Sequence, residues 1–386
     1  MAKKRTWLIG CLVAVLIIGS MIVGCAPKPT PPTPTTPTQP TTPTQPTTPT
    51  AAASPPKPKT MVVGSFRVGL QGYQTGAAIS AKAAEVTGIQ WRNVPRAGAF
   101  PRYTDMKNGI IDVSLSSDTT IAPMQNGSEE WNKPDWGPQD MRHVWAGGIM
   151  QKGVGVNKDS DIKSGEDLKG KTLPYAKPQG GAGHLGLACV LEYFGVDYLD
   201  KGPDYKWLTL APGTNATQLF IDGQLDAHGF SPTSSMARQI EAGPRGLRWL
   251  NMVPENKAGW ARAQEIIAPV RPWLQKVGAS VPPEGVWMMT YGGPYIAYPS
   301  LDEAKAYWFT KGVWDAYDLF KDMHPDLPYY NHELVLDTTM WILPWHEGSI
   351  KFFKEIGEWT PEHEAAQEKQ LKKVKEDIAN WTYKPE

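Results

Sequence analysis

The stretch "NGIIDVSL" (residues 108–115) has a counterpart later in the chain, "DGQLDAHGF" (residues 222–230). Each copy reads as the end of a helix, a glycine, an apolar residue, an aspartate and then a strand. The glycine can adopt the positive φ that stops a helix, and the aspartate can accept hydrogen bonds from nearby backbone N–H groups. Two copies of this unit predict two lobes of similar topology.

The residues around these copies alternate short apolar strands with helical patterns. "VVGSFRVGL" (62–70) and "IQWRNVP" (89–95) read as strands, separated by a helix of small residues that ends near Gly88. This order is typical of parallel sheets covered by helices. Residues 61–386 are also too many for one ordinary core. We therefore expect an α/β fold with lobe I from residues 61–153 and 256–386 and lobe II from residues 154–255.

The N-terminal 60 residues predict export and attachment. Three basic residues at positions 3–5 precede an apolar run over residues 7–24, which is typical of a signal peptide covering residues 1–24. The end of the run, followed by Cys25, resembles a bacterial lipobox, in which the cysteine carries lipid. The alternative is an uncleaved membrane anchor. Residues 25–60, rich in Pro and Thr, predict a linker that holds the protein outside the cytoplasm on the membrane surface, whether in a periplasm or on the outer face.

Charge and cysteine content exclude some partners. Loss of the signal peptide would remove three of the 39 basic residues, leaving 36 against 39 acidic residues, so nothing favours nucleic acid. Cys189 is the cysteine that remains after the lipidation position. Its apolar helical surroundings predict a buried thiol.

A glycine-rich loop in "PYAKPQGGAGHLG" (174–186) raises the question of a dinucleotide. Gly181, Gly183 and Gly186 have the spacing G-x-G-x-x-G between a predicted strand and a predicted helix. In dinucleotide-binding folds this loop belongs to the first βαβ unit, whereas here it lies in mid-chain of an exported protein. We expect no cofactor. The loop is better suited to offer backbone N–H groups to a ligand carboxylate, or simply to let the helix pack closely on the strand.

Enzyme signatures are also missing from the sequence. The seven histidines include no H-E-x-x-H pair, and "GFSPT" around Ser231 lacks the final glycine of a nucleophile elbow. His346 in "PWHEG" is expected to cap a helix. The sequence therefore predicts no metal site and no catalysis, with a membrane-anchored enzyme kept as the alternative of another class.

Five segments of the chain form a pattern by their order and spacing: "LQGYQTGAA" (70–78), "NVPRAGAFPRYTDMKNGIIDVSLSSD" (93–118), "SDIKSGEDLKGKTLPYAKPQGGAG" (160–183), "DGQLDAHGFSP" (222–232) and "PWHEGSIKFFKEIG" (344–357). Together they resemble the TAXI branch of solute receptors that serve tripartite ATP-independent periplasmic (TRAP) transporters. The resemblance implies a two-lobed periplasmic-binding-protein-like fold whose lobes close on a ligand and deliver it to a membrane permease. Receptors of ATP-driven (ABC-type) uptake systems share this architecture and are the alternative.

The resemblance also leads to a prediction of the ligand site, because open α/β sheets bind ligands at the carboxyl ends of their strands. The predicted ligand-binding residues are Gln71, Gly72, Tyr73, Gln74, Arg96, Ala99, Ser117, Asp118, Gln179, Gly180, Gly181, Ala182, Ser231 and Thr233. Where the family has hydroxyl residues, this chain has Ala99, Gly180 and Ala182. Loss of these donors favours a small organic carboxylate with a bulkier or more apolar body than glutamate. Arg96 is the predicted clamp for the carboxylate, and a solvated surface arginine is the alternative.

Overall fold

A computed structural model describes residues 54–179, 181–211 and 214–383 of the chain. The predicted signal peptide, the lipidation position Cys25 and most of the predicted linker lie outside these residues. Within the described ranges, no helix has the length and apolar character needed to span a membrane.

Twelve strands are formed by the described residues. Their bounds are β1 Thr60–Ser65, β2 Gln90–Pro95, β3 Val113–Leu115, β4 Arg142–Trp145, β5 Ile149–Val156, β6 Thr172–Tyr175, β7 Lys206–Thr209, β8 Ala227–Phe230, β9 Arg248–Trp249, β10 Arg271–Gln275, β11 Val286–Gly292 and β12 Tyr295–Ala297.

Eleven α-helices cover these strands or connect them in the same described ranges. Their bounds are α1 Gln71–Thr87, α2 Ala99–Lys107, α3 Asp118–Asn126, α4 Gly181–Tyr193, α5 Ala216–Ile221, α6 Ser235–Ala242, α7 Lys257–Ile266, α8 Glu303–Phe320, α9 His332–Leu336, α10 Glu347–Glu355 and α11 Pro361–Asn380.

The strands form two main sheets. The first has the order β2-β1-β3-β12-β4, with β1 parallel to β2 and β3 and with β12 antiparallel to its neighbours. The second has the order β10-β11-β5-β8, and the parallel pair β6–β7 is joined to it by a backbone hydrogen bond between Asp226 and Thr172. Two separate sheets confirm the predicted two-lobed α/β fold and exclude a single doubly wound sheet.

The chain passes between the two sheets in two adjacent segments. Residues 146–148 connect β4 to β5, and residues 293–294 connect β11 to β12. The N–H of Gly293 donates to the carbonyl of Gly148 over 3.0 Å, so the two segments are bonded to each other. The segment 256–386 thus contributes strands to both sheets, and the lobe bounds given above stay a prediction.

The repeated unit has the same structural role in both sheets. Asp112, before β3, accepts a hydrogen bond of 2.8 Å from the N–H of Val62 in β1, and Asp226, before β8, accepts one of 2.7 Å from the N–H of Thr172 in β6. The glycines three residues earlier have φ values of +69° and +77°. The expected helix stop and the expected backbone-binding aspartate are therefore confirmed in both copies.

Two single-residue expectations are also confirmed. Cys189 is buried in α4, and burial raises the pKa of its thiol to about 12, which leaves it unreactive. His346 precedes α10, and its Nδ1 accepts a hydrogen bond of 3.2 Å from the N–H of Gly348, as a helix cap does.

The last residues of the predicted linker pack against the first lobe. The indole N–H of Trp308 in α8 donates to the carbonyl of Pro55 over 3.0 Å, and the ammonium of Lys57 lies 4.9 Å from the centre of the Trp308 ring. Lys57 also donates to the last carbonyl of α1, that of Thr87, over 2.8 Å. The chain therefore enters the folded part along α1 and α8.

Candidate ligand site between the lobes

The first lobe places three helix N-termini at the carboxyl ends of its parallel strands. Helices α1, α2 and α3 follow β1, β2 and β3, and among the described residues none of these N-termini has a side-chain cap. Their first N–H groups therefore remain available to a ligand, with the helix dipole favouring an anion.

Three polar contacts join the lobes beside α1. The hydroxyl of Ser235 donates to the carbonyl of Gly69 over 3.0 Å. The amide of Gln71 donates to the carbonyl of Ile149 in β5 over 3.4 Å, and the hydroxyl of Thr233 donates to Asp326 Oδ2 over 2.6 Å. The start of α1, strand β5, the loop after β8 and the segment after α8 therefore meet at one place.

We call the four buried side chains at this meeting point the interlobe cluster: Gln71, Gln151, Thr233 and Asp326. Their exposed fractions are 6%, 1%, 8% and 1%. Within the described part of the chain, neither amide atom of Gln151 has a hydrogen-bond partner, and neither does Asp326 Oδ1. Buried polar atoms are nearly always bonded, so these atoms indicate a place where a ligand or ordered water completes the hydrogen bonding.

Asp326 has an unusual protonation equilibrium for a carboxyl group. Burial raises its pKa to about 7, and the nearby polar groups of Thr233, Gln151 and Gln71 offset only part of this rise. Among the described residues, Thr233 is the one of the three whose side chain lies within hydrogen-bonding distance of the carboxyl group. The imidazole of His324 lies close, with Nδ1 3.5 Å from Asp326 Oδ2. That Nδ1 accepts the N–H of Asp326 over 3.2 Å, so it has no proton to give to the carboxylate.

Arg67 is a cation at the edge of the same region. It lies in the loop between β1 and α1, is partly buried, and burial lowers its pKa. It has no side-chain hydrogen bond or ion pair to any residue that the structure describes. In β8 of the second lobe, burial lowers the pKa of His228 to about 3, with further lowering by the charges of Lys152 and Arg67. The charge of Arg67 therefore acts on a group of the second lobe.

The structure brings several predicted residues to this region. Gln71 and Thr233 belong to the interlobe cluster, and Ser231 Oγ lies 2.9 Å from Thr233 Oγ1. Tyr73 and Gln74 are half-buried in the first turn of α1, and Gln74 Oε1 is a buried atom without a partner among the described residues.

Gly72 has a packing role in the same turn. A Cβ added there would lie 2.0 Å from Cδ2 of Phe66, so this glycine lets α1 approach the end of β1.

Arg96 is held in its own lobe. Its Nε donates to Asp105 Oδ2 over 2.6 Å, and 32% of its side chain is exposed. Ala99, three residues further on, is the first residue of α2. The carboxylate that Arg96 binds in the structure is thus that of Asp105, and its predicted role as a ligand clamp stays a prediction.

Ser117 and Asp118 mark the start of α3. Asp118 accepts a hydrogen bond of 2.6 Å from the N–H of Gly292 at the end of β11. Burial raises its pKa to about 6, while the bond from Gly292 and the charge of Arg271 lower it. Ser117 Oγ lies 2.9 Å from the hydroxyl of Thr119. In the structure Asp118 fixes the segment that leads from the second sheet back to the first.

The glycine-rich loop is described only in part. The amide of Gln179 donates to the carbonyls of Ala211 and Thr214 over 3.2 and 3.4 Å, which ties two loops of the second lobe together. Gly180 lies outside the described residues. Gly181 is the first residue of α4, and Ala182 follows it in the helix.

Three residues of the region were missed by the sequence analysis. Gln151 lies within a buried strand, and Asp326 lies in "MHPDLPYY" (323–330), far from any motif. Arg67 lies in "VVGSFRVGL" (62–70), just before the segment that begins α1. A basic residue at the carboxyl end of the first predicted strand is a signal from which the sequence could have predicted a ligand contact. Among the described residues, no group of three or more His, Cys, Asp or Glu side chains could hold a metal ion.

Two α/β lobes joined by two adjacent segments, with a buried polar site between them, define a periplasmic-binding-protein-like fold. The chain belongs to the NMT1-like family, whose sequence pattern matches residues 70–357. The curated proteins include no significant match.

Solved structures of binding proteins are similar over most of the chain. The aliphatic sulphonate binding protein SsuA from Escherichia coli is 15% identical, with a TM-score of 0.43, over 85% of this chain and 95% of that one. A binding protein component of an ABC phosphonate transporter from Pseudomonas aeruginosa is 13% identical, with a TM-score of 0.42, over 83% and 98%. A structure described as a periplasmic transporter is 14% identical, with a TM-score of 0.47, over 81% and 96%. Likeness at this level does not identify a ligand.

Proposed function

We propose that this protein is an extracytoplasmic substrate-binding protein that captures a small organic anion between its lobes and delivers it to a membrane permease. The observation that carries the proposal is the interlobe cluster, because its buried polar atoms without partners lie where the two lobes touch. Arg67, a partly buried cation in the loop that leads into α1, adds a positive charge to the proposal. Sites of this kind typically hold a small ligand by a few polar groups in an otherwise buried cleft. The proposed action is binding without turnover, and it needs no cofactor, metal or nucleic acid.

The anionic group proposed for the ligand is a carboxylate. A guanidinium binds a carboxylate through two parallel hydrogen bonds, and Arg67 has its donors available for this. The N–H groups at the start of α1 lie four residues further along the chain and can complete the oxyanion's hydrogen bonding. Arg67 therefore replaces Arg96 as our first choice for the clamp, and the loops around Gln71–Gln74 and Ser231–Thr233 remain proposed contacts.

The attachment and the permease belong to the same proposal. Residues 1–24 would be removed as a signal peptide, Cys25 would carry the lipid, and residues 25–60 would link it to the folded part. Membership of the NMT1-like family fits an ATP-driven permease at least as well as a TRAP permease. Uptake measured in cells separates the two, because depletion of ATP stops the first directly and collapse of the ion gradient stops the second.

Changing Arg67 to Lys tests the clamp. The ammonium keeps the positive charge but cannot form the two parallel bonds, so we expect carboxylate affinity to fall about tenfold. Calorimetry on residues 54–386 with the carboxylic acids found by a thermal-shift screen measures the effect. Arg92→Lys is the matched control, since Arg92 is exposed on β2.

Two results would contradict the proposal. Equal affinities of wild type and Arg67→Lys for every carboxylate would remove Arg67 from the site. Chemical conversion of a hit by the purified protein would instead favour the membrane-anchored enzyme.

A further inference from the structure

We infer that the interlobe cluster is a subsite for a protonated amine, so that the solute carries an ammonium group bound at Asp326 and Gln151. This inference rests on the proposed function and specifies the ligand of the same site. It divides the site into an anionic half at Asp326 and a cationic half at Arg67.

The first argument is the lack of a counter-charge for Asp326. Its carboxyl group is 1% exposed, and one oxygen is bonded to the hydroxyl of Thr233. In the described part of the chain, no lysine or arginine forms an ion pair with it. A buried carboxylate without a cation is costly, and a charged partner relieves that cost. A ligand ammonium would supply the missing charge at Asp326 Oδ1.

The second argument is the matching of donors and acceptors. An ammonium has up to three N–H donors and no acceptor. Asp326 Oδ1 and Gln151 Oε1 are buried acceptors from opposite lobes, and neither has a hydrogen-bond partner among the described residues. One ammonium between them would bond to both lobes at once. This arrangement would couple ligand binding to contact between the lobes.

The third argument concerns a carboxylate in the same place. A ligand carboxylate beside the ionised Asp326 would meet a like charge, and above pH 7 its binding would require Asp326 to take up a proton. The other titratable groups around Asp326 are His324, Tyr329 and Tyr330. Burial lowers the pKa of His324, so its imidazole is neutral at neutral pH, and a tyrosine has no cationic form. None of the three groups therefore supplies a positive charge. The cluster therefore selects a cationic group.

The experiment uses pairs of compounds that differ in the amine. The probes are L-leucine against 4-methylpentanoate, 5-aminopentanoate against pentanoate, and pentylamine, which has no carboxylate. Affinities are measured by calorimetry at pH 5 and pH 8 on wild type, Asp326→Asn, Gln151→Leu and the control Asp322→Asn, whose carboxylate is exposed. Thermal unfolding of each variant checks that it is folded.

For wild type and the control we expect an amine-bearing probe to bind at least tenfold more tightly than its partner, and more tightly at pH 8 than at pH 5. Asp326→Asn should lose both the preference and the pH dependence, and Gln151→Leu should weaken the preference. Tight binding of pentylamine alone would support the amine subsite while overturning the carboxylate clamp. Equal binding of both members of every pair, or a preference that survives in Asp326→Asn, would overturn the inference and leave the proposed function standing. No binding of any probe or of any compound in the thermal-shift screen would overturn both.

Discussion

Asp326→Asn is expected to raise the free energy of unfolding of the ligand-free protein at pH 8 by about 3 kcal/mol. In the folded protein, burial raises the pKa of Asp326 from 3.8 to about 7. This difference between the folded-state and unfolded-state pKa values lowers the free energy of unfolding by about 4 kcal/mol at a pH where Asp326 is ionised in both states. We subtract about 1 kcal/mol for the partnerless N–H of the new amide.

The sign of the effect follows from the direction of the pKa shift. The folded-state pKa lies above the unfolded-state value, so the folded state keeps a proton that the unfolded state has already released. The wild type should therefore lose stability as the pH rises from about 4 to about 7, and the loss should level off above that. The pKa of Asp118 is raised to about 6, so this residue adds a further loss of stability with rising pH, and that loss ends near pH 6.

Urea unfolding at pH 4, 6 and 8 measures this prediction. The free energy of unfolding of the wild type and of the exposed-site control Asp322→Asn should fall by the full amount as the pH rises. That of Asp326→Asn should fall less, because only the contribution of Asp118 remains. Parallel pH curves for all three proteins would show that Asp326 has an ordinary pKa in the folded state.

Gly348→Ala is expected to lower the free energy of unfolding by about 3 kcal/mol, because the new methyl group has no space. An added Cβ would lie 2.1 Å from the carbonyl oxygen of Glu303 and 2.9 Å from the backbone nitrogen of Tyr307, both at the start of α8. Neither backbone atom can move unless α10 separates from α8, and overpacking of this kind costs about 1–3 kcal/mol, occasionally more.

A matched glycine provides the control. Gly98 precedes α2 in extended backbone, and the nearest atom to an added Cβ would be Cδ of Pro101 at 3.8 Å. Gly98→Ala should therefore change the free energy of unfolding by less than about 1 kcal/mol. If Gly348→Ala unfolds at the same urea concentration as Gly98→Ala, the close contact between α10 and α8 is not present in solution.

Gly348 shows what the family resemblance could predict from the sequence and what it could not. The segment "PWHEGSIKFFKEIG" (344–357) marked this glycine as part of a pattern, and the helix cap at His346 was predicted from the same residues. A side chain at position 348 is excluded by backbone atoms of Glu303 and Tyr307, which lie more than 40 residues earlier in the chain. A local pattern identifies such a position but does not contain the atoms that restrict it.

The sequence by itself determined the features that depend on neighbouring residues. Alternating strands and helices predicted the α/β class, and the repeated unit predicted two lobes. The structure shows the same local contact in both copies, since Asp112 accepts a hydrogen bond from β1 and Asp226 accepts one from β6. The buried state of Cys189 followed from its apolar helix. Periodicity, turns and caps are set over a few residues, so they can be read directly from the chain.

The tertiary structure alone decided which charged groups meet. The bond between Thr233 and Asp326 joins residues 93 positions apart, and no motif includes Asp326. Arg96 was predicted to bind the ligand, and in the structure its guanidinium binds Asp105 of α2. Partner choice among charged side chains depends on distance and burial after folding, which the local sequence does not specify.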